Sequence, residues 1–76
     1  MAEYKLAYRM ADNIALSVRE TEILTDLSQG LSRAEIAVSR GLSINTVKML
    51  VKNIYYKTGA ENLADLIRIA VLQKLI

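Results

Sequence analysis

The chain is expected to be all-α, a bundle of four helices, and three observations predict this. Apolar residues recur every three or four positions, with no strand-like alternation. Each helical segment is preceded by a Ser or Asn able to cap it, and the three glycines, Gly30, Gly41 and Gly59, fall where helices should stop. Proline is absent, so no segment is broken internally.

Residues 1–15 form an N-terminal extension. Tyr4, Ala7, Tyr8, Ala11, Ile14 and Ala15 recur at helical spacing, compatible with an extra amphipathic helix. A short isolated helix is marginal in water, so such a segment must dock on the rest of the chain. Residues 16–76 make the domain proper.

The first helix of this domain opens with Ser17-Val18-Arg19-Glu20, a capping box in which Ser17 accepts from the Glu20 amide and Glu20 reaches back to Ser17. Ile23, Leu24 and Leu27 point inward, and Gly30 supplies the left-handed residue after the helix end. Glu22 and Asp26 are expected to be solvated. A second box, Ser32-Arg33-Ala34-Glu35, opens a short helix that ends near Gly41, and Leu31 and Ile36 have the spacing of a hydrophobic staple.

Ser43 caps the third helix, about residues 44–58, which shows two faces. Val47, Leu50, Val51 and Ile54 lie on one side at the period of a buried stripe. Asn45, Lys48, Met49, Lys52 and Tyr56 lie opposite, and the window from Ile36 to Ala60 holds four bases and no acid. An amide and two ammonium groups with no nearby carboxylate suit the DNA major groove. Exposed Met49 fits the same reading, since its angular position places it away from the core. Tyr55 is expected to pack, and Tyr56 to reach a nucleic-acid backbone.

Asn62 caps the fourth helix, with Asp65 at the third position, where a negative charge suits the helix dipole. Leu63, Leu66, Ile67 and Ala70 form one apolar stripe. Ile69, Leu72 and Ile76 form a second, widened by Val71 and Leu75, and a helix apolar on most sides is buried on more than one. The second stripe is expected to be a dimer interface.

Composition removes several classes. With no Cys and no His there is no disulfide framework and no Cys/His metal site, so neither metal nor cofactor is expected. Glu20, Glu22 and Asp26 have no partner base or nucleophile that would suggest acid–base catalysis, and no enzyme is expected. Glu3 and Asp12 interrupt any signal-like apolar run, and no stretch approaches the roughly 20 apolar residues of a membrane span. A soluble, cytoplasmic setting is the expectation.

A short helix, a turn at Gly41 and a longer basic helix form a helix-turn-helix over about residues 32–58, the longer one being the recognition helix. Four blocks make the resemblance specific. They are Leu16-Ser17-x-Arg19-Glu20-x-Glu22-Ile23-Leu24, Gly30-Leu31-Ser32-x-x-Glu35-Ile36-Ala37, Leu42-Ser43-x-x-Thr46-Val47-Lys48 and Val51-x-Asn53-Ile54-Tyr55-x-Lys57-x-Gly59. In that order and spacing they resemble the LuxR/FixJ-type DNA-binding domain of bacterial transcription regulators, over Leu16 to about Leu75.

The resemblance implies a four-helix domain that binds double-stranded promoter DNA, dimerises through its last helix on DNA while being able to remain monomeric when free, and comes within reach of RNA polymerase. The family's base-reading positions correspond to Lys48, Met49 and Lys52, and Thr46 and Lys48 also to phosphate-contacting positions. Ser43, Asn45, Tyr56 and Lys57 complete the expected DNA-binding set, and Ile69, Leu72 and Ile76 the dimer set. The chain departs from the pattern at Leu50, where His is frequent, at Arg40, where an apolar residue is common, and at Val18, which replaces a frequent Pro. The Arg40 stem is expected along the core, with its charge reaching water or phosphate.

Two other readings share these residues. A sigma-factor region 4 module has a similar Glu35-Ile36-Ala37 and Thr46-Val47-Lys48 neighbourhood, but Gly59 and the apolar helix after it favour the LuxR/FixJ type. A protein-interaction module on the same fold would use Met49 and Leu50 against a partner; steep salt dependence of duplex affinity would distinguish DNA binding from it.

Overall fold

The computed structural model describes residues 14–76, which form four helices: α1 (Val18–Ser28), α2 (Arg33–Arg40), α3 (Ile44–Thr58) and α4 (Leu63–Leu72). The additional helix expected within residues 1–15 lies almost wholly outside the described residues.

Local chemistry sets every helix start. The Ser17 hydroxyl accepts the Glu20 N–H at 3.0 Å and Glu20 Oε1 accepts the Ser17 N–H at 2.8 Å. Ser32 and Glu35 repeat this reciprocal pair at 3.1 and 2.8 Å. Ser43 and Asn62 accept from the amides of Thr46 and Asp65 at 3.1 and 2.8 Å. Each bond satisfies one of the amide groups that a helix start leaves without an intrahelical acceptor.

The stops are equally local. After α1, Gly30 (φ +89°) donates to Leu27 and Leu31 donates to the Asp26 carbonyl, the double bond of a Schellman motif. Gly41 (φ +66°) and Leu42 repeat it after α2, dropping Leu42 against the core. The same pattern closes α4 with Lys74 in the left-handed position (φ +56°), while Leu75 donates to the Ala70 carbonyl at 2.8 Å and packs inward.

The third helix is the spine, packing against each of the other three. Its Val47, Val51 and Ile54 meet Ile23, Leu24 and Leu27 of α1, Ile36 and Ala37 of α2, and Leu66 and Ala70 of α4 in one core. Full burial of side chains of this size stabilises by about 1.5–3 kcal/mol each. Leu50 is half-buried at the margin of that core.

Several expectations change in the assembled structure. Asp26 is buried, and Arg40 binds it with a fork: Nε to Oδ2 at 2.8 Å and Nη2 to Oδ1 at 3.0 Å, with Glu22 3.8 Å from Nη1. The Arg40 charge is therefore spent on joining α1 to α2 instead of reaching phosphate. In α4, Leu66 and Ala70 of the expected core stripe join the core, but Leu63 is 47% exposed and Ile67 half-buried, and Ile69 of the second stripe is buried at 3% exposure outside that cluster. Finally, α4 ends at Leu72, so Ile76 follows the left-handed Lys74 and does not continue a helical stripe.

Candidate nucleic-acid interface

The third helix offers solvent the face opposite its core stripe. Ser43, Asn45, Lys48, Met49, Lys52 and Tyr56 are all exposed, Met49 at 55% and Tyr56 at 87%. Burying Val47, Val51, Ile54 and Thr58 turns these side chains outward, because residues half a helical turn apart cannot share a face. An exposed methionine between two lysines presents a polarisable apolar group flanked by two positive charges.

The start of α3 differs chemically from the other helix starts. Glu20, Glu35 and Asp65 place a carboxylate in the first turns of α1, α2 and α4, but the first turn of α3 contains no acid. Its positive dipole end is therefore uncompensated, which favours the approach of a polyanion. Half-buried Thr46 is held there: the Ser43 hydroxyl accepts the Thr46 N–H and donates to Thr46 Oγ1 at 2.8 Å. With its oxygen already accepting, the Thr46 hydroxyl can direct its own proton to an outside acceptor.

Lys57 does not join this face. Its Nζ lies 2.8 Å from Oε1 of buried Glu20, a tie from the last turn of α3 to the first turn of α1. Burial pushes the Glu20 carboxyl up, but the donors Lys57 and Ser17 outweigh it and hold the group below its ordinary value. The residue expected on DNA thus holds an ion pair that ties α3 to α1.

An open groove flanks the recognition face, between the start of α2, the side of α3 and the approach to α4. Arg33, Lys48 and Lys52 line it together with Glu61 and Asn62, above Val51 and Tyr55. Arg33 was not among the residues singled out from sequence. The signal was present in the chain, a cation at the first position of a helix, but its proximity to Lys48 depends on how α2 crosses α3. Among the described residues, no group of His, Cys, Asp or Glu side chains is arranged to hold a metal ion. None of the described helices is long and apolar enough to cross a membrane.

Residues 14–70 match the family model GerE, described as bacterial regulatory proteins, luxR family. The chain belongs to the luxR family. It is 42% identical over 66 residues to the transcriptional activator protein EsaR of Pantoea stewartii subsp. stewartii, covering 87% of this chain and 26% of that protein. It is 46% identical over 61 residues to the Fimbriae Z protein of Escherichia coli (strain K12), covering 80% of this chain and 29% of the relative. Among solved structures, it resembles the crystal structure of the response regulator ChrA of a heme-sensing two-component system, with a TM-score of 0.78 and 42% identity. That alignment covers 93% of this chain and 36% of ChrA. The chain therefore spans about a quarter to a third of the length of these relatives. What it carries is the helix-turn-helix DNA-binding domain of a luxR-family transcription regulator, a family without enzymatic activity.

Proposed function

We propose that this luxR-family domain binds double-stranded promoter DNA sequence-specifically, with α3 in the major groove. The observation that carries this reading is the exposed face of α3, where Asn45, Lys48, Met49 and Lys52 stand on a rigid helix with no acid in its first turn. Lys48 and Lys52 have hydrogen-bond donors suited to guanine O6 and N7, Asn45 suits adenine, and Met49 suits the thymine methyl. Thr46 at the helix start and Tyr56 near its end can donate hydroxyl protons to phosphate oxygens on either side, while Ser43, whose own proton goes to Thr46 Oγ1, orients the Thr46 hydroxyl.

Two copies pair through α4. Val71 and Leu72 are 60% and 66% exposed, an apolar edge that the core does not use, and Ile76 beyond the helix is also exposed. Ile69 is buried and does not belong to this contact. Two-fold pairing would set two recognition helices about one DNA turn apart, roughly 34 Å, on a palindromic site. One helix pair buries less than the roughly 1,200 Å² of a standard interface, so the domain is monomeric when free and dimerises on DNA. The domain serves an intracellular regulator whose DNA-bound form contacts RNA polymerase, a reading supported by relatives named as an activator and a response regulator.

The test is duplex affinity of Lys48→Ala and Lys52→Ala. Each should lose roughly 1–3 kcal/mol of binding while the unfolding midpoint stays in place, because both side chains are exposed. Wild-type affinity in both variants would remove α3 as the reading element.

A further inference from the structure

Arg33 occupies a position that helix stability does not explain. It is the first residue of α2, where a cation opposes the positive end of the helix dipole and an acid would be favoured. Its side chain is exposed, and among the described residues no carboxylate lies within ion-pair distance of it, whereas Arg19, Arg40, Lys57 and Arg68 each have one. Arg33 is thus a charge set against its own helix dipole with no carboxylate among the described residues paired to it. Such positions are where function is expected to outweigh stability.

The structure gives Arg33 company of the same sign. It lines one groove with Lys48 and Lys52, so three cations from two helices converge on one side of α3. Three like charges gathered beside one another repel, and a polyanion relieves that repulsion. Glu61 lines the same groove from the approach to α4, so an anionic strand is confined to the α2–α3 side.

We infer that Arg33 is a phosphate-binding residue: where the first helix of the motif crosses the DNA backbone, its guanidinium grips the strand that runs beside the recognition helix. This rests on the DNA-binding reading above. The contact is to the backbone, so it adds affinity and register without reading sequence. The guanidinium fork is suited to a phosphate, which it can meet with two parallel hydrogen bonds.

The experiment measures duplex affinity of the chain against salt, by fluorescence anisotropy, on a labelled site and on a scrambled duplex of equal length. For Arg33→Ala, the slope of log affinity against log salt should become shallower by about 0.9, the value of one phosphate contact. Its affinity should fall several-fold, by the same factor on both duplexes. Arg33→Glu should bind more weakly still while unfolding at an equal or higher temperature, since an acid suits that helix position. An unchanged slope in Arg33→Ala, with normal salt-dependent binding by wild type, overturns this inference alone. A loss confined to the specific site overturns it too, because that would make Arg33 a base reader. A melting temperature that falls in Arg33→Glu would show the arginine to be structural. Absence of salt-dependent binding in the wild type overturns both this inference and the reading beneath it.

Discussion

Lys57 donates to Glu20 Oε1 over 2.8 Å, and the same oxygen accepts the Ser17 backbone N–H over 2.8 Å. The capping carboxylate of α1 is thus also the anchor for the end of α3, 37 residues further along the chain. One group closes a helix and fixes the recognition helix against its neighbour.

That double use predicts acid sensitivity. The Glu20 carboxyl ionises below its ordinary value of 4.5 in the folded chain, so it contributes stability that is present above that value. The contribution is lost as pH falls through the lower, folded pKa. Glu35 adds in the same direction, held down by the Ser32 amide and then the Ser32 hydroxyl. Thermal unfolding should therefore show the midpoint dropping below about pH 4.5. Glu20→Gln should be less stable at neutral pH and lose less on acidification; parallel curves for variant and wild type would mean that Glu20 does not carry the linkage.

Lys74 offers the opposite kind of change. It is the only non-glycine residue with positive φ among those described, at the stop of α4. A side chain there costs about 1–2 kcal/mol relative to glycine, partly offset by the extra freedom glycine gives the unfolded chain. Lys74→Gly should raise stability by about 0.5–1 kcal/mol in denaturant unfolding. A destabilised variant would show that the lysine side chain makes a contact worth more than the strain.

Met49 should discriminate one base by a methyl group. Replacing single thymines of a bound site by deoxyuridine removes only the 5-methyl, and at one position per half-site this should weaken wild-type binding. Met49→Ala should bind more weakly and become indifferent to that replacement, because the methyl loses its apolar partner. Equal sensitivity in variant and wild type would place the methyl contact elsewhere.

Leu72→Glu puts a charge on the exposed edge of α4, where 66% of the side chain is accessible in the single chain. The monomer should fold normally, half-site binding should persist, and two-fold occupancy of a full site should be lost. Gel-shift stoichiometry on full and half sites reads this directly. Cooperative binding that survives the substitution would remove α4 as the interface.

The caps were legible in the sequence because each depends on residues within one turn. Ser17 with Glu20, Ser32 with Glu35, Ser43 with Thr46 and Asn62 with Asp65 are pairs three residues apart. The outward face of α3 was legible for a related reason. A helix with a single apolar stripe has one way to bury it, and Val47, Val51 and Ile54 left Lys48, Met49 and Lys52 outside.

The partners of Asp26 and Lys57 were not legible, since they lie 14 and 37 residues away and depend on how helices cross. Arg33 entered the groove beside Lys48 for the same reason. The orientation of α4 shows the limit most clearly. With apolar residues on most of its sides, its own periodicity selects no inward face, and packing against α3 took Leu66 and Ala70 into the core and left Leu63 exposed. Residue types along the chain were enough to set where each helix starts, where the first three stop and which face of α3 meets solvent, because those are short-range matters of hydrogen bonding and period. The tertiary structure alone decided which charges are consumed in ion pairs and which remain for a polyanion, because that depends on the distances between helices.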